Sequence, residues 1–411
     1  MQKLIVISID ALTEQDINNA GNLPNLSRLI KDGFYVKNIN GIYPSLTHPC
    51  HATIITGKNP GYHGVISNED FSKPGRPWFN SLSDIKCPSV IDYFKEAGLS
   101  VSCCRWPVTA DGFNKIDYLI PEITNIDTIK QDCLARYLEI SSPSLHNIIK
   151  KNIGLLNLKS QPEEDIFSTA CVCDIIKTYK PDVLFTHPAC VDTYKHHTGI
   201  ESSQTLEMVR LADAMVGDII KAVEEANLID QTVFVVLSDH GHMSVDREIA
   251  LNEIFRRDNM YGKLISDECC HSAQIYINDI DEKEALSYLQ SKALDSNSGI
   301  EQIFTKDQVK NKYGNFGSFS FMVESDNHTQ FSNSINCEIE TKLTVDDHHG
   351  HSTHGHMPEK SPKPIFIAAG PNIKHKTIQE DSMLKEAPTF LHLMDLNAPG
   401  LEEPFDLLPL E

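Results

Sequence analysis

No stretch of this 411-residue sequence approaches about 18 uninterrupted apolar residues, so nothing in it reads as a membrane-spanning helix. Basic side chains are scarce. Lys and Arg number 36 against 57 Asp and Glu, a formal net charge of −21. A surface that grips nucleic acid needs Lys and Arg to neutralise phosphates, so the charge argues against that mode of binding. An acidic protein that handles a phosphorylated substrate must supply positive charge locally, and bound metal does so. There is no CxxC pair among the eleven cysteines. Their odd count, and the adjacent pairs Cys103-Cys104 and Cys269-Cys270, fit mostly buried, reduced thiols. Cys171 and Cys173, two apart in a helical pattern, point to different sides and make no metal pair. The opening MQKLIVISID lacks a small-residue cleavage site and reads as a first buried strand. A cytoplasmic protein is the resulting expectation. Repeats and low-complexity tracts are missing as well.

What is present is ordinary globular material: 40% hydrophobic and 23% charged residues. The length exceeds what one hydrophobic core normally supports. Short apolar runs alternate with helical patterns, which predicts an α/β fold with a mainly parallel central sheet and helices on both faces. The clearest strands are Leu4–Ile9, Asp182–Thr186, Thr232–Leu237 and Pro364–Ala368. The clearest helix follows Ser202-Ser203, with apolar residues from Leu206 to Val223 near the 3.6 period. Ala170–Tyr179 reads as another, ending before Pro181. From about Leu251 to Thr344 the pattern changes to short alternating segments (Ala273–Ile277, Ser318–Val323), a helix near Glu282–Leu294 and polar turns. The expected division is a catalytic core of residues 1–255 and 345–411, with 256–344 inserted as a smaller α+β cap subdomain. Residues 110–165 read as a helical excursion.

Polar clusters stand where strands end, the place where open α/β sheets bind ligands. Asp10 closes LIVISID, although capping or a turn is the ordinary use of such an Asp. Thr47, in YPSLTHPCHATIITG, precedes the helical pattern His51–Thr56. A helix start offers free N–H groups to a phosphoryl oxygen, yet a Thr there is usually only a cap. Asp192 and His196 follow DVLFTH four residues apart, a spacing that reaches one metal from one helical face. Asp239 and His240, in SDHGH, end the strand TVFVVL and cannot both lie in a core. The run Asp347–His356 supplies further imidazoles just before PIFIAAGP.

In this order and spacing the set resembles the alkaline phosphatase superfamily, and within it the nucleotide pyrophosphatase/phosphodiesterase family. The likeness runs from residue 1 to about 375, with TGKNPGYHGVISN, VDTYKHHTG and SDHGH as its most specific segments. The resemblance implies two divalent metal ions, with zinc the best match to a carboxylate and imidazole set and manganese or iron as alternatives. It places Asp10, Thr47, Asp239 and His240 on one ion, with Thr47 also the nucleophile. It places Asp192, His196 and His354 on the other. His349, His351 and His356 are rivals for the place of His354. Asn68, in HGVISN, matches an asparagine that holds a phosphoryl oxygen.

The function implied is cleavage of phosphodiester or pyrophosphate bonds in small, nucleotide-type substrates through a phospho-threonine. No Arg completes a C/S-x-P-x-R run after Cys50, which argues against a sulfatase. Thr47 in place of Ser argues against the phosphomonoesterase branch. Hydrolysis of phosphonoacetate or another phosphonate is the main alternative, and a non-catalytic binding module is a third. Trp78, Phe79 and Trp106 are candidates to stack on a base, although burial is the commoner fate of such rings. Substrate choice, oligomeric state and the role of residues 110–165 are not legible at this level.

Overall fold

A computed structural model describes residues 2–122, 133–156, 160–343, 352–360 and 362–409. His349 and His351, two of the rival imidazoles, lie outside the described residues. The main sheet has eight strands. From one edge to the other they are Lys376–Ser382, Phe34–Asn40, Phe366–Ala369, Thr232–Leu237, Lys3–Ser8, Val183–Thr186, Val101–Cys104 and Tyr118–Ile120. Seven run the same way. Phe366–Ala369 is reversed, antiparallel to both neighbours, with Phe366 opposite Val36 and Leu237.

Successive side chains of a strand face opposite sides, and both sides here are buried. Leu4 and Val6 join one core with Cys50, Ile54 and Phe390; Ile5 and Ile7 join another with Phe167, Val209 and Val216. Helices therefore cover both faces, and the near-continuous apolar runs seen in the sequence follow from double burial. Phe366–Ala369 occupies the middle of the sheet, not an edge, because it too is apolar on both faces.

The helix after Ser202 spans Ser203–Glu225, and the Ser202 hydroxyl accepts from the Thr205 N–H. The helix expected at Ala170 begins seven residues sooner and spans Glu163–Tyr179. Its first turn is Glu163, Glu164 and Asp165, acids that the positive end of the helix dipole favours. Those acids also hold buried Arg105, at 2.9 Å from Glu164 and 3.1 Å from Asp165. The stretch 110–165 contributes the edge strand Tyr118–Ile120 and helices Cys133–Ile140 and His146–Asn152.

A second, four-stranded antiparallel sheet lies within residues 264–325, with helices Glu282–Ala293 and Lys306–Tyr313. It has its own core of Leu264, Ile275, Leu289 and Val323. All eleven cysteines are free thiols, seven of them buried. Among the described residues no helix is long and apolar enough to cross a membrane.

Glu324, on the second sheet, sits fully buried 3.1 Å from Lys360. Burial outweighs that cation and pushes its carboxyl up to about 7 from 4.5. The folded state then binds a proton that the unfolded chain has lost, so stability falls as pH rises from about 4.5 to 7. The difference is on the order of 3 kcal/mol. Lys360 keeps a second partner, Glu301, at 2.7 Å. Glu324→Gln should therefore melt higher than the parent at pH 8 and show a flatter melting-temperature profile between pH 5 and 8. Parallel profiles for the two proteins would refute this account.

Candidate metal centre

The site lies at the carboxyl end of the parallel strands. Asp10 and Asp239 each stand two residues past a strand end, after Ser8 and Leu237, on neighbouring strands. Ala11 turns to φ +60° and points its N–H at Asp239 Oδ1, 3.1 Å away. Thr47 is the first residue of helix Thr47–Thr56. Its hydroxyl oxygen is 3.1 Å from His240 Nε2. The same nitrogen is 3.2 Å from Asp239 Oδ2 and 3.5 Å from Asp10 Oδ1. Four side chains from three segments thus converge on one point.

The helix Cys190–Thr198 carries Asp192 and His196. It has no cap of its own. Asp165 Oδ2 serves instead, accepting from the N–H groups of Ala189 and Cys190 at 2.8 and 2.6 Å. Lys195 anchors the same helix: it is wholly buried and reaches Asp16 Oδ2 and the Ala11 carbonyl at 2.6 and 2.8 Å. Asp192 and His196 are thereby held 3.5 Å apart, as their four-residue spacing allows. His354 Nε2 lies 3.8 Å from Asp192 Oδ1. Gly355 beside it has φ +83°, and a Cβ there would meet the Cys269 carbonyl oxygen at 1.9 Å, so only glycine lets the chain pass. The His354 backbone carbonyl accepts from the His271 N–H, which ties the site to the second sheet. His356 faces away, toward His271 at 5.9 Å between rings.

The two groups touch, since donor atoms of Asp10, Asp192 and His240 lie within 4.8 Å of one another. Asp10 and Asp239 are buried and Asp192 half-buried, and three carboxylates so close repel. Burial first, then Asp192 and Asp239, hold the Asp10 carboxyl well above the usual range. Burial carries Asp239 up to about 6. At Asp192 burial is outweighed by His196 and then His242, so its carboxyl sits well below the usual value. Burial lowers His354 to about 4.

Residues that were not singled out from the sequence also stand here. His242, the second imidazole of SDHGH, is 2.7 Å from Asp192 Oδ1. His187 lies 3.2 Å from Asp10 and 3.7 Å from Glu122. Burial opposes its charge, but bonds to Asp10 and Glu122 prevail and raise it to about 10. His51 Nδ1 donates to the Thr47 carbonyl at 2.8 Å and its Nε2 pairs with Ser8 Oγ at 3.0 Å, beneath the helix start. SDHGH held the signal for His242; His187, His51 and Glu122 gave none, because buried polar pairs have no sequence spacing.

Asn68 Oδ1 accepts from the His48 N–H at 3.0 Å, which leaves its amide nitrogen as the donor. His48 packs edge-on against half-buried Trp78 at 4.9 Å. Phe79 and Trp106 are buried in the core, so only Trp78 of the three rings borders the site with an exposed edge.

A cation accounts for several otherwise unexplained atoms. Among the described residues Asp10 Oδ1 and Asp239 Oδ2 are buried without a hydrogen-bond partner, and both lie close to His240 Nε2. Carboxylate oxygens and imidazole nitrogens with no thiolate form a donor set suited to zinc, manganese or iron. His196 and His354 each have an outer partner on Nδ1, while His240 Nδ1 has none among the described residues.

The model for type I phosphodiesterases/nucleotide pyrophosphatases matches residues 4–357, a span that includes every residue of the site. The chain belongs to that family. The family lies within the alkaline phosphatase superfamily. Among curated proteins, human ectonucleotide pyrophosphatase/phosphodiesterase family member 7 is 26% identical over 262 residues, covering 60% of this chain and 49% of that protein. The venom phosphodiesterase of Macrovipera lebetinus is 23% identical over 240 residues, covering 58% and 25%. The family member thus spans about half or less of the length of these relatives. The structure of murine ectonucleotide pyrophosphatase/phosphodiesterase 5 matches with a TM-score of 0.74 at 18% identity, over 99% of this chain and 100% of that one. That likeness establishes the alkaline phosphatase-like fold. An inactive variant of the same murine protein was solved in complex with AMP, at a TM-score of 0.72, 18% identity and full coverage of both chains.

Proposed function

We propose that this protein hydrolyses phosphodiester or pyrophosphate bonds of nucleotide-type substrates, using two divalent cations and Thr47 as nucleophile. The observation that carries this is the convergence of Asp10, Thr47 and Asp239 on His240 Nε2, with Asp192, His196 and His354 alongside. Asp10, Asp239, His240 and Thr47 would hold one ion, and Asp192, His196 and His354 the other, with zinc as the first choice. Cations in these sets would acidify the Thr47 hydroxyl and offset negative charge on the phosphoryl group.

Thr47 Oγ forms a bond to phosphorus as the bond to the leaving oxygen breaks on the opposite side. The product is a phospho-threonine that keeps the remaining ester. Water then forms the new P–O bond, and Thr47 Oγ leaves and regains its proton. Asn68, pinned by the His48 N–H, offers its amide to an equatorial oxygen. The Thr47 N–H is the other available donor, because it is the first residue of its helix and Pro49 has no N–H to offer. Residues 256–344 act in this reading as a cap on the core of 1–255 and 345–411, supported by the bonds from His271 and Ser272 to His354 and Gly355. The family match and the AMP bound to the murine structure support a nucleotide, and nothing observed favours phosphonates.

Bis-(p-nitrophenyl) phosphate should be cleaved at least about tenfold faster than p-nitrophenyl phosphate, a barrier difference of ~1.4 kcal/mol. A faster monoester would move the protein to the phosphomonoesterase branch.

A further inference from the structure

Resting on the two-cation reading, we propose that His242 is a fourth ligand in the second set, making it a site of three imidazoles and one carboxylate. The case is an inventory of hydrogens. The Ser352 carbonyl faces His196 Nδ1 at 3.0 Å, and the Ser45 carbonyl faces His354 Nδ1 at 3.2 Å. A carbonyl only accepts, so both nitrogens carry hydrogen. Ser352 Oγ gives its own hydrogen to the Lys195 carbonyl at 2.7 Å. It therefore accepts from His242 Nδ1, 3.0 Å away. Each ring commits its Nδ1 hydrogen outward and presents Nε2 inward.

The three Nε2 atoms point at one oxygen. Asp192 Oδ1 is 2.7 Å from His242, 3.5 Å from His196 and 3.8 Å from His354. The four donor atoms lie within 4.8 Å of one another. A tetrahedral zinc site places its ligand atoms roughly 3.4 Å apart, so little adjustment closes this one. The ordinary alternative is that His242 only supports Asp192 through a hydrogen bond. That needs a hydrogen on its Nε2 and hence a charged ring, and it satisfies one contact of the three. A cation satisfies all four donors at once. Ser352, by serving both His196 and His242, gives the rings the outer partners that fix ligand orientation. Three imidazoles also bias the site toward zinc or cobalt and away from magnesium and manganese.

The test is zinc binding by the metal-stripped protein, measured by competition with a chromophoric chelator, together with X-ray absorption of the zinc-loaded form. Two zinc ions per chain are expected, averaging two imidazoles each. His242→Gln keeps an amide able to bond Asp192 but removes the imidazole. It should weaken one site by more than about 100-fold, beyond what loss of an outer hydrogen-bond partner brings, and leave the other unchanged. The mean imidazole count should fall to one and a half. Unchanged affinity, or weaker binding with an unchanged imidazole count, overturns the assignment. Should the variant not fold, the wild-type count decides: two supports His242 and one and a half rejects it. A wild type that binds no zinc defeats the two-cation reading as well, whereas two bound zincs with an indifferent variant defeat His242 alone.

Discussion

Thr47→Ala should lose diesterase activity by roughly four orders of magnitude while remaining folded and able to bind metal, because nucleophile removal costs transition-state stabilisation that binding cannot replace. Thr47 is half-buried at a helix start, with Leu46 as the capping residue, and its hydroxyl caps nothing. Truncation therefore removes a reacting atom without opening a cavity in either core. Thr47→Ser keeps a hydroxyl in the same place and should remain active. The parent enzyme, quenched in acid during turnover, should yield a peptide with phosphorus on Thr47, and the Ala variant should not. A Thr47→Ala enzyme with a tenth of parental activity would mean that the nucleophile is elsewhere.

Stripping the metal should be nearly as damaging, and it should register in stability as well as in turnover. Asp10, Asp192 and Asp239 stand together, and without a cation the neighbouring imidazoles offset only part of their repulsion, since the Asp10 carboxyl stays well above the usual range. A ligand present at a thousand times its dissociation constant stabilises the folded state by about 4 kcal/mol. For a chain of this length that corresponds to roughly 5 °C per occupied site. Chelation should thus lower the melting temperature in one or two steps and abolish hydrolysis, and zinc should restore both. Activity that survives exhaustive chelation would refute the metal assignment.

How far the sequence foretold this picture differs from element to element. The strands at Lys3–Ser8, Val183–Thr186 and Thr232–Leu237 were legible because double burial leaves an unbroken apolar run. The reversal of Phe366–Ala369 was not, since an apolar run has no direction and only its neighbours define one. The early start of helix Glu163–Tyr179 was hidden because a first turn of three acids carries no apolar period, and the pairing of Glu164 and Asp165 with Arg105 leaves no trace in the sequence. At the site, Asp10 and Asp239 were visible as acids just past strand ends, Asp10 with capping or a turn as its ordinary alternative, and Asp192 by its four-residue spacing from His196. Thr47, Asn68 and His354 drew their meaning from the family pattern. His242 looked like one more polar residue of SDHGH, because the partner that gives it a role, Asp192, is fifty positions away.

The reversed strand has a consequence for how the chain finds its shape. Phe34–Asn40 pairs only with Phe366–Ala369 and Lys376–Ser382, so Val36 must wait for Phe366 before it has a hydrogen-bonded neighbour. His354 arrives on the same late segment. During synthesis an apolar early strand stays unpaired until Phe366, 330 positions after Val36, has emerged, the kind of long-range closure that slows folding and exposes a sticky edge. The centre that would hold its metals is therefore completed only when that segment arrives, and a chain cut short before it lacks the His354 ligand and keeps an open sheet.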